Sequence, residues 1–243
     1  VEAGVVTARL QETLEQRGLF YPPDPASRAD NTLGGNIVTN AGGPRCLKYG
    51  VTRDYVLGLE VVLADGTVLQ LGGRTHKNKT GFELHRLFVG SEGLLGIVTA
   101  ATLKLLPLPP FRANLAIGFS SMRQAVCSLH AILEAGFLPA ALELADAFTL
   151  AAAYQRTGSA RLQGCRAHLI VELDGQERSV RGEVREVRRI VARQKPRFVE
   201  VGLGAAQCEA VWKIRREFSY ALRDTGLTKL NEDVVVPRSR LED

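Results

Sequence analysis

Asn31–Gly50, NTLGGNIVTNAGGPRCLKYG, is the stretch on which the reading of the chain turns. Two glycine pairs, Gly34-Gly35 and Gly42-Gly43, stand among three asparagines and two threonines. Glycine weakens regular elements because it loses the most backbone freedom on ordering, and asparagine competes for backbone hydrogen bonds. The expectation is therefore a binding loop rather than a helix or strand. Missing Cβ atoms let the backbone come close enough to a ligand for N–H groups to donate, and Asn36, Thr39 and Asn40 add short polar side chains around the apolar pair Ile37-Val38. The plain alternative is a glycine-rich turn between two strands. A second cluster downstream, Gly90-Ser91-Glu92-Gly93-Leu94-Leu95-Gly96, favours the loop. Neither cluster spells G-x-G-x-x-G between strand and helix, nor G-x-x-x-x-G-K-[ST], which argues against a dinucleotide fingerprint and a P-loop.

Upstream of this stretch, Val1–Val6 reads as an apolar β-like run and Thr7 as the cap of a helix with Leu10 and Leu14 on one side. Gly18 is expected to end that helix. Tyr21-Pro22-Pro23-Asp24-Pro25 is stiff and extended, because each proline fixes its own φ and restricts its predecessor. Downstream, Val56–Leu63 and Thr67–Leu71 flank Ala64-Asp65-Gly66, a strong hairpin signal. A helical turn at Leu84–Phe88 and a strand at Ile97–Leu105 follow. Leu106-Pro107-Leu108-Pro109-Pro110 is read as a boundary between domains at 1–108 and 109–243.

Past that boundary the pattern alternates. Strands are expected at Leu115–Phe119, Ala140–Ala145, Ala167–Leu173 and Arg197–Val201. Helices are expected at Met122–Ala135, Asp146–Arg156, Glu177–Gln194 and Ala206–Leu222. Two βαβ-like halves of this kind suggest a split, ferredoxin-like α+β layer. A last strand is expected at Leu230–Val236, and Ser239 with Glu242 has the spacing of a capping box, announcing one more helix.

At 243 residues and 45% hydrophobic content, the chain suffices for one large or two modest domains. It contains no apolar run of about eighteen residues, the length that would announce a transmembrane helix. Cys46, Cys127, Cys165 and Cys208 are scattered without a C-x-x-C pair, which disfavours a metal cluster or a disulfide framework and suits a reducing compartment. The net charge of +5 is a mild bias. Its arginines concentrate at Arg178–Arg193 with glutamates at helical spacing and no interleaved aromatics, the pattern of a solvated helix face rather than of a nucleic-acid surface. His76, His85, His130 and His168 form no metal-ligand spacing.

Taken in order, Tyr21-Pro22-Pro23-Asp24-Pro25, Thr32-Leu33-Gly34-Gly35-Asn36, Asn40-Ala41-Gly42-Gly43, Lys48-Tyr49-Gly50, Phe88-Val89-Gly90-Ser91-Glu92-Gly93 and Gly96-Ile97-Val98-Thr99 closely resemble the FAD-linked 2-hydroxy-acid dehydrogenases. That group, within the vanillyl-alcohol oxidase fold, includes the glycolate oxidase D subunit and D-lactate dehydrogenases. The likeness continues through Trp212 to Arg240. It implies an α+β chain, with the C-terminal part of a vanillyl-alcohol-oxidase-type FAD-binding domain followed by a ferredoxin-like cap domain. The implied cofactor is FAD. Its implied contacts are Pro23, Asp24, Thr32, Leu33, Gly34, Gly35, Asn36, Thr39, Asn40, Ala41, Gly42, Gly43, Tyr49, Gly50, Glu92, Gly93, Gly96, Ile97 and Val98.

In Trp212–Ser219, Arg215 and Ser219 stand four apart and would share a helix face, so a guanidinium fork and a hydroxyl could hold one carboxylate. The alternative is that Arg215 and Arg216 are surface arginines of an amphipathic helix. In relatives the arginine matching Arg215 binds the substrate carboxylate, and an assisting lysine corresponds to Lys229. The family's pyrophosphate loop and its His-containing metal and base motif match positions before Val1 and after Asp243, so the resemblance implies a segment cut from a longer protein, with no metal ligand inside it. The implied activity is oxidation of a small D-2-hydroxy acid, of the glycolate or D-lactate type, to the 2-oxo acid. Hydride passes to the flavin, and electrons pass onward to a quinone or an electron-accepting partner protein. A cytoplasmic chain that can sit peripherally at a membrane fits this reading. The alternative is a truncated, non-catalytic remnant or scaffolding domain that keeps the fold.

Overall fold

The structure, a computed structural model, describes residues 1–159, 161–228 and 234–241. The chain divides into two compact units, Val1–Leu108 and Pro109–Asp243.

The first unit runs α1 (Thr7–Glu15), β1 (Leu19–Phe20), α2 (Leu33–Thr39), α3 (Cys46–Tyr49), β2 (Val56–Val62), β3 (Val68–Gly72), α4 (His85–Phe88), β4 (Ile97–Leu103) and β5 (Leu106–Pro107). β2 is the middle of an antiparallel sheet ordered β3-β2-β4, and the Asp65-Gly66 turn closes the expected hairpin with Val62 opposite Val68. Leu14 of α1, Leu33 and Ile37 of α2, and Leu59, Val61 and Ala101 of the sheet share one core. β1 pairs with β5, tying Leu19 to Pro107.

Three expectations fail in this unit. Asn31–Gly50 is not an open loop, because it contains α2 and α3. Burial of Leu33 and Ile37, one turn apart, overrides the low helix propensity of the glycines. The Thr32 hydroxyl accepts from Gly35 N at 3.3 Å to cap the start, and Asn40 ends the helix in the left-handed region at φ 50°. Val1–Val6 is not a strand either; it makes single bridges, Glu2 to Ala100 and Val6 to Thr32. Thr7 is the first helical residue rather than the cap, since its Oγ1 is engaged by Asn36 Nδ2 at 2.7 Å and Val6 occupies the cap position without a side-chain bond.

The second unit runs β6 (Phe111–Phe119), α5 (Met122–Glu134), β7 (Ala141–Asp146), α6 (Ala147–Thr157), β8 (Ala167–Gly175), α7 (Glu177–Ala192), β9 (Phe198–Leu203) and α8 (Ala205–Asp224). The antiparallel sheet is ordered β7-β8-β6-β9, the split ferredoxin-like arrangement, to which α6 and α8 are added. Strand periodicity places Leu115, Ile117 and Phe119 of β6 and Leu169, Val171 and Leu173 of β8 against α5 and α7. Ala116 and Ile170, on the opposite face, meet Val211 of α8. With both faces covered, the central strands are buried almost throughout.

α7 presents Val180, Val184, Val187 and Val191 to the core. Its outer face carries ion pairs at helical spacing, Arg181 with Glu177 and Arg189 with Glu186. The expected last strand fares differently. Leu230, Asn231, Glu232 and Asp233 lie outside the described residues, and Val234–Val236 has no strand conformation. A β-branched run becomes a strand only where a neighbour takes its backbone groups, and none of the described residues pairs with it. In place of a helix capped by Ser239 there is a 3-10 turn at Arg238–Arg240; Glu242 lies outside the described residues. No described helix is long and apolar enough to cross a membrane.

Candidate functional site

In the first unit the two glycine clusters meet. Gly90 N donates to Ile37 O at 3.0 Å and Glu92 N to Val38 O at 2.8 Å, so the segment after α4 is laced to the last turn of α2. Arg53 bridges them: its N donates to Asn40 Oδ1 at 2.9 Å and its Nη2 to Val89 O at 3.1 Å. Glu92 and Gly93 both take left-handed conformations, at φ 54° and 79°. The backbone N–H groups of Gly42 and Gly93 have no acceptor among the described residues, so each keeps its donor. Arg53 was not singled out in the sequence, and no local pattern marks it, because both its partners come from elsewhere in the chain.

Many of the other expected cofactor residues hold the chain to itself. Asn36, buried, donates to Thr7 Oγ1 and also to Asn31 Oδ1 at 3.2 Å. Thr39 returns its hydroxyl to Gly35 O at 2.8 Å, and Leu33 is fully buried. Asp24 pairs with Arg45 at 3.0 Å, and Pro23 O accepts from Gln11 Nε2 at 2.8 Å. A Cβ on Gly43 would lie 2.6 Å from Asp24 O, so this glycine is required where two stretches of backbone cross. Ala41 O takes both Thr52 N and the Thr52 hydroxyl. Tyr49 O accepts the Tyr55 hydroxyl at 2.7 Å, and burial pushes the Tyr55 phenol up to about 12, so it stays a neutral donor there. Gly50 follows α3 at φ 80°. Gly96 lies against Val61, Val98 is in the core, and Ile97 is 69% exposed.

In the second unit an open pocket of about 420 Å³ lies between the start of α5, the end of β7, the start of α6 and the middle of α8. Arg215 and Ser219, one turn apart on α8, both line it, as their spacing led one to expect. Leu144, Phe218 and Leu222 supply an apolar wall, and Asp146 and Thr149 supply polar groups. Arg215 Nε donates to Glu143 Oε2 at 2.8 Å, and among the described residues its two Nη groups make no hydrogen bond or ion pair. Asp146 caps α6, accepting from Thr149 N at 2.8 Å. Arg216 points to a different partner, Glu209. Lys229 lies outside the described residues.

Behind the pocket, α8 is pinned to the sheet by polar groups as well as by apolar ones. Trp212 Nε1 donates to the buried Glu172 carboxylate at 2.6 Å. His168 lies 6.3 Å from Phe218 and 6.0 Å from Phe198, ring centre to ring centre. Its burial holds the imidazole down at about 4, and Nδ1 has no hydrogen bond. A neutral His168 therefore packs as an aromatic beneath the wall residue Phe218. Glu143 and Asp146 escaped the sequence reading as pocket residues. The available signals were a charge inside the expected strand Ala140–Ala145 and a cap-forming aspartate at a helix start.

Residues 108–243 match the family model described as FAD linked oxidases, C-terminal domain, and residues 1–72 match the one described as FAD binding domain. The chain belongs to the FAD-linked oxidases. It is 39% identical over 241 residues to the glycolate oxidase subunit GlcD of Bacillus subtilis, covering 99% of this chain and 51% of that protein. It is 44% identical over 133 residues to the D-2-hydroxyglutarate dehydrogenase of Stutzerimonas stutzeri, covering 55% of this chain and 29% of the relative. The chain thus spans about half the length of the first of these relatives. Its fold is similar to that of alkyldihydroxyacetonephosphate synthase, with a TM-score of 0.76 and 22% identity over 92% of this chain and 43% of that one.

The cofactor these family descriptions indicate is FAD. The first unit fits such a group at the N–H groups of Gly42 and Gly93 that lack an acceptor among the described residues and at the left-handed turn of Glu92-Gly93, which can bring backbone donors to an anion or a ring edge. The side chains of Leu33 and Asn36, two of the expected contacts, are buried in the unit's own packing.

Proposed function

We propose that the chain is part of an FAD-dependent oxidoreductase that converts a D-2-hydroxy acid, of the glycolate or D-lactate type, to the 2-oxo acid. The carrying observation is the Arg215 pocket in a chain of this family. Tethered at Nε by Glu143, the guanidinium keeps two Nη groups for a bidentate grip on one carboxylate, and the Ser219 hydroxyl lies one helical turn away. Phe218 and Leu222 keep one side of the acid dry, which strengthens that grip. Gly42, Glu92 and Gly93 are the residues we assign to holding FAD, with Asn40 and Arg53 fixing the turns beside them. Bound FAD would supply the two-electron acceptor for the hydrogen on Cα. Electrons then leave to a quinone or a partner protein.

The test is made on the full-length protein, which should purify yellow. Arg215→Lys keeps the charge but loses the fork, so affinity and turnover for the hydroxy acid should fall about tenfold or more, in line with roughly 1.5–3 kcal/mol for a charged hydrogen bond. Arg216→Lys is the control. Equal losses in the two variants, or none in Arg215→Lys, would refute the assignment.

A further inference from the structure

The charge balance around the Arg215 pocket can select among hydroxy acids. Arg215 is the one cationic side chain among the described residues that line it. Glu143 already engages Nε, so the two Nη groups that remain match a single carboxylate. Asp146 contributes a negative charge to the same pocket, held in place by the cap it makes on Thr149 N. Leu144, Phe218 and Leu222 offer no hydrogen bonds from their side chains, and Thr149 and Ser219 add only neutral hydroxyls. A volume of about 420 Å³ is ample for any small hydroxy acid, so size does not discriminate and charge must.

We propose, building on the function above, that this pocket takes 2-hydroxy monocarboxylic acids with a short apolar side chain and rejects dicarboxylic ones, with Asp146 as the specificity-determining residue. The first carboxylate of either acid meets Arg215. The second carboxylate of a dicarboxylate would lose water against Leu144, Phe218 and Leu222 and meet the Asp146 charge, with no second cation among the described lining residues to offset it. A methyl or ethyl side chain at that point instead gains apolar contact.

The experiment is calorimetric titration of the full-length flavoprotein with D-lactate and with D-2-hydroxyglutarate. D-lactate should bind at least about tenfold more tightly. Asp146→Asn removes the charge and keeps a side chain of equal capping power, so α6 should stay intact by circular dichroism. In that variant the ratio of the two dissociation constants should narrow about fivefold, the size of a charge–charge term near a wet surface. A wild type that favours the dicarboxylate, or a ratio unmoved in Asp146→Asn, would overturn the proposal while leaving the hydroxy-acid function standing. Binding of neither acid would sink the function itself, and this inference with it.

Discussion

Gly34 and Gly35 are neighbours in the same helical turn, yet alanine at the two positions should act with opposite sign. Both substitutions shed the conformational freedom glycine has in the unfolded chain, a gain of about 0.5–1 kcal/mol for a helical site. At Gly35 the new Cβ would meet Thr32 Oγ1 at 3.5 Å, an ordinary contact, so the gain is kept. At Gly34 it would lie 2.8 Å from Ala3 Cβ and 3.2 Å from Ala3 O. Ala3 cannot easily retreat, because its N donates to Thr99 O and its O accepts from Gly34 N, at 2.9 and 2.8 Å. Overpacking of this kind costs about 1–3 kcal/mol, which exceeds the helical gain and leaves Gly34→Ala net destabilising by about 0.5–2 kcal/mol. Urea unfolding followed by far-UV circular dichroism reads both effects. The sole tryptophan, Trp212, is in the other unit and reports separately on it by fluorescence. If Gly34→Ala stabilised as much as Gly35→Ala, the close approach of α2 to the Ala3 backbone would be wrong. The helical reading of this stretch would fall only if both variants lost stability, as an αL loop requires.

Thr32→Ala should cost about 1 kcal/mol in the same urea assay by removing the cap on Gly35 N; a loss below about 0.3 kcal/mol would mean the 3.3 Å bond does not hold the helix start. Stability should also depend on pH through His168, whose folded value of about 4 lies below its unfolded 6.5. Between those values the unfolded chain binds the extra proton, so stability is full above pH 6.5 and drains as pH falls toward 4, by on the order of 3 kcal/mol. His168→Gln should flatten that slope in urea midpoints measured from pH 7 to 4.5, whereas an unchanged slope would assign it to other groups. Gly118→Ala should destabilise by about 1–3 kcal/mol, because its Cβ would press on the Phe198 ring and come 2.8 Å from Cys165 Sγ; thermal melts showing no loss would contradict the tight β6–β9 packing.

What the sequence made legible was whatever is encoded locally. The hairpin at Ala64-Asp65-Gly66 was readable because turn chemistry and flanking β-branched residues agree within a few positions. The valine stripe of α7 was readable because one face repeats with the helical period. α2 was not, because only Leu33 and Ile37 mark its apolar buried face and the glycines beside them argue the other way; the reason for a glycine at 34 is Ala3, which no window around that residue contains. The same division runs through the candidate site. Arg215 and Ser219 could be paired from their spacing alone, since four residues on a helix always share a face. Glu143, which aims the guanidinium, and Asp146, which lines the same pocket, come from β7 and the start of α6, and they are brought to α8 only through the folding of the sheet. The gripping half of the pocket is therefore written along one helix. The half that would choose between acids exists only in three dimensions, and for that reason a change at Asp146 is a sharper test of the fold-level reading than any change along α8.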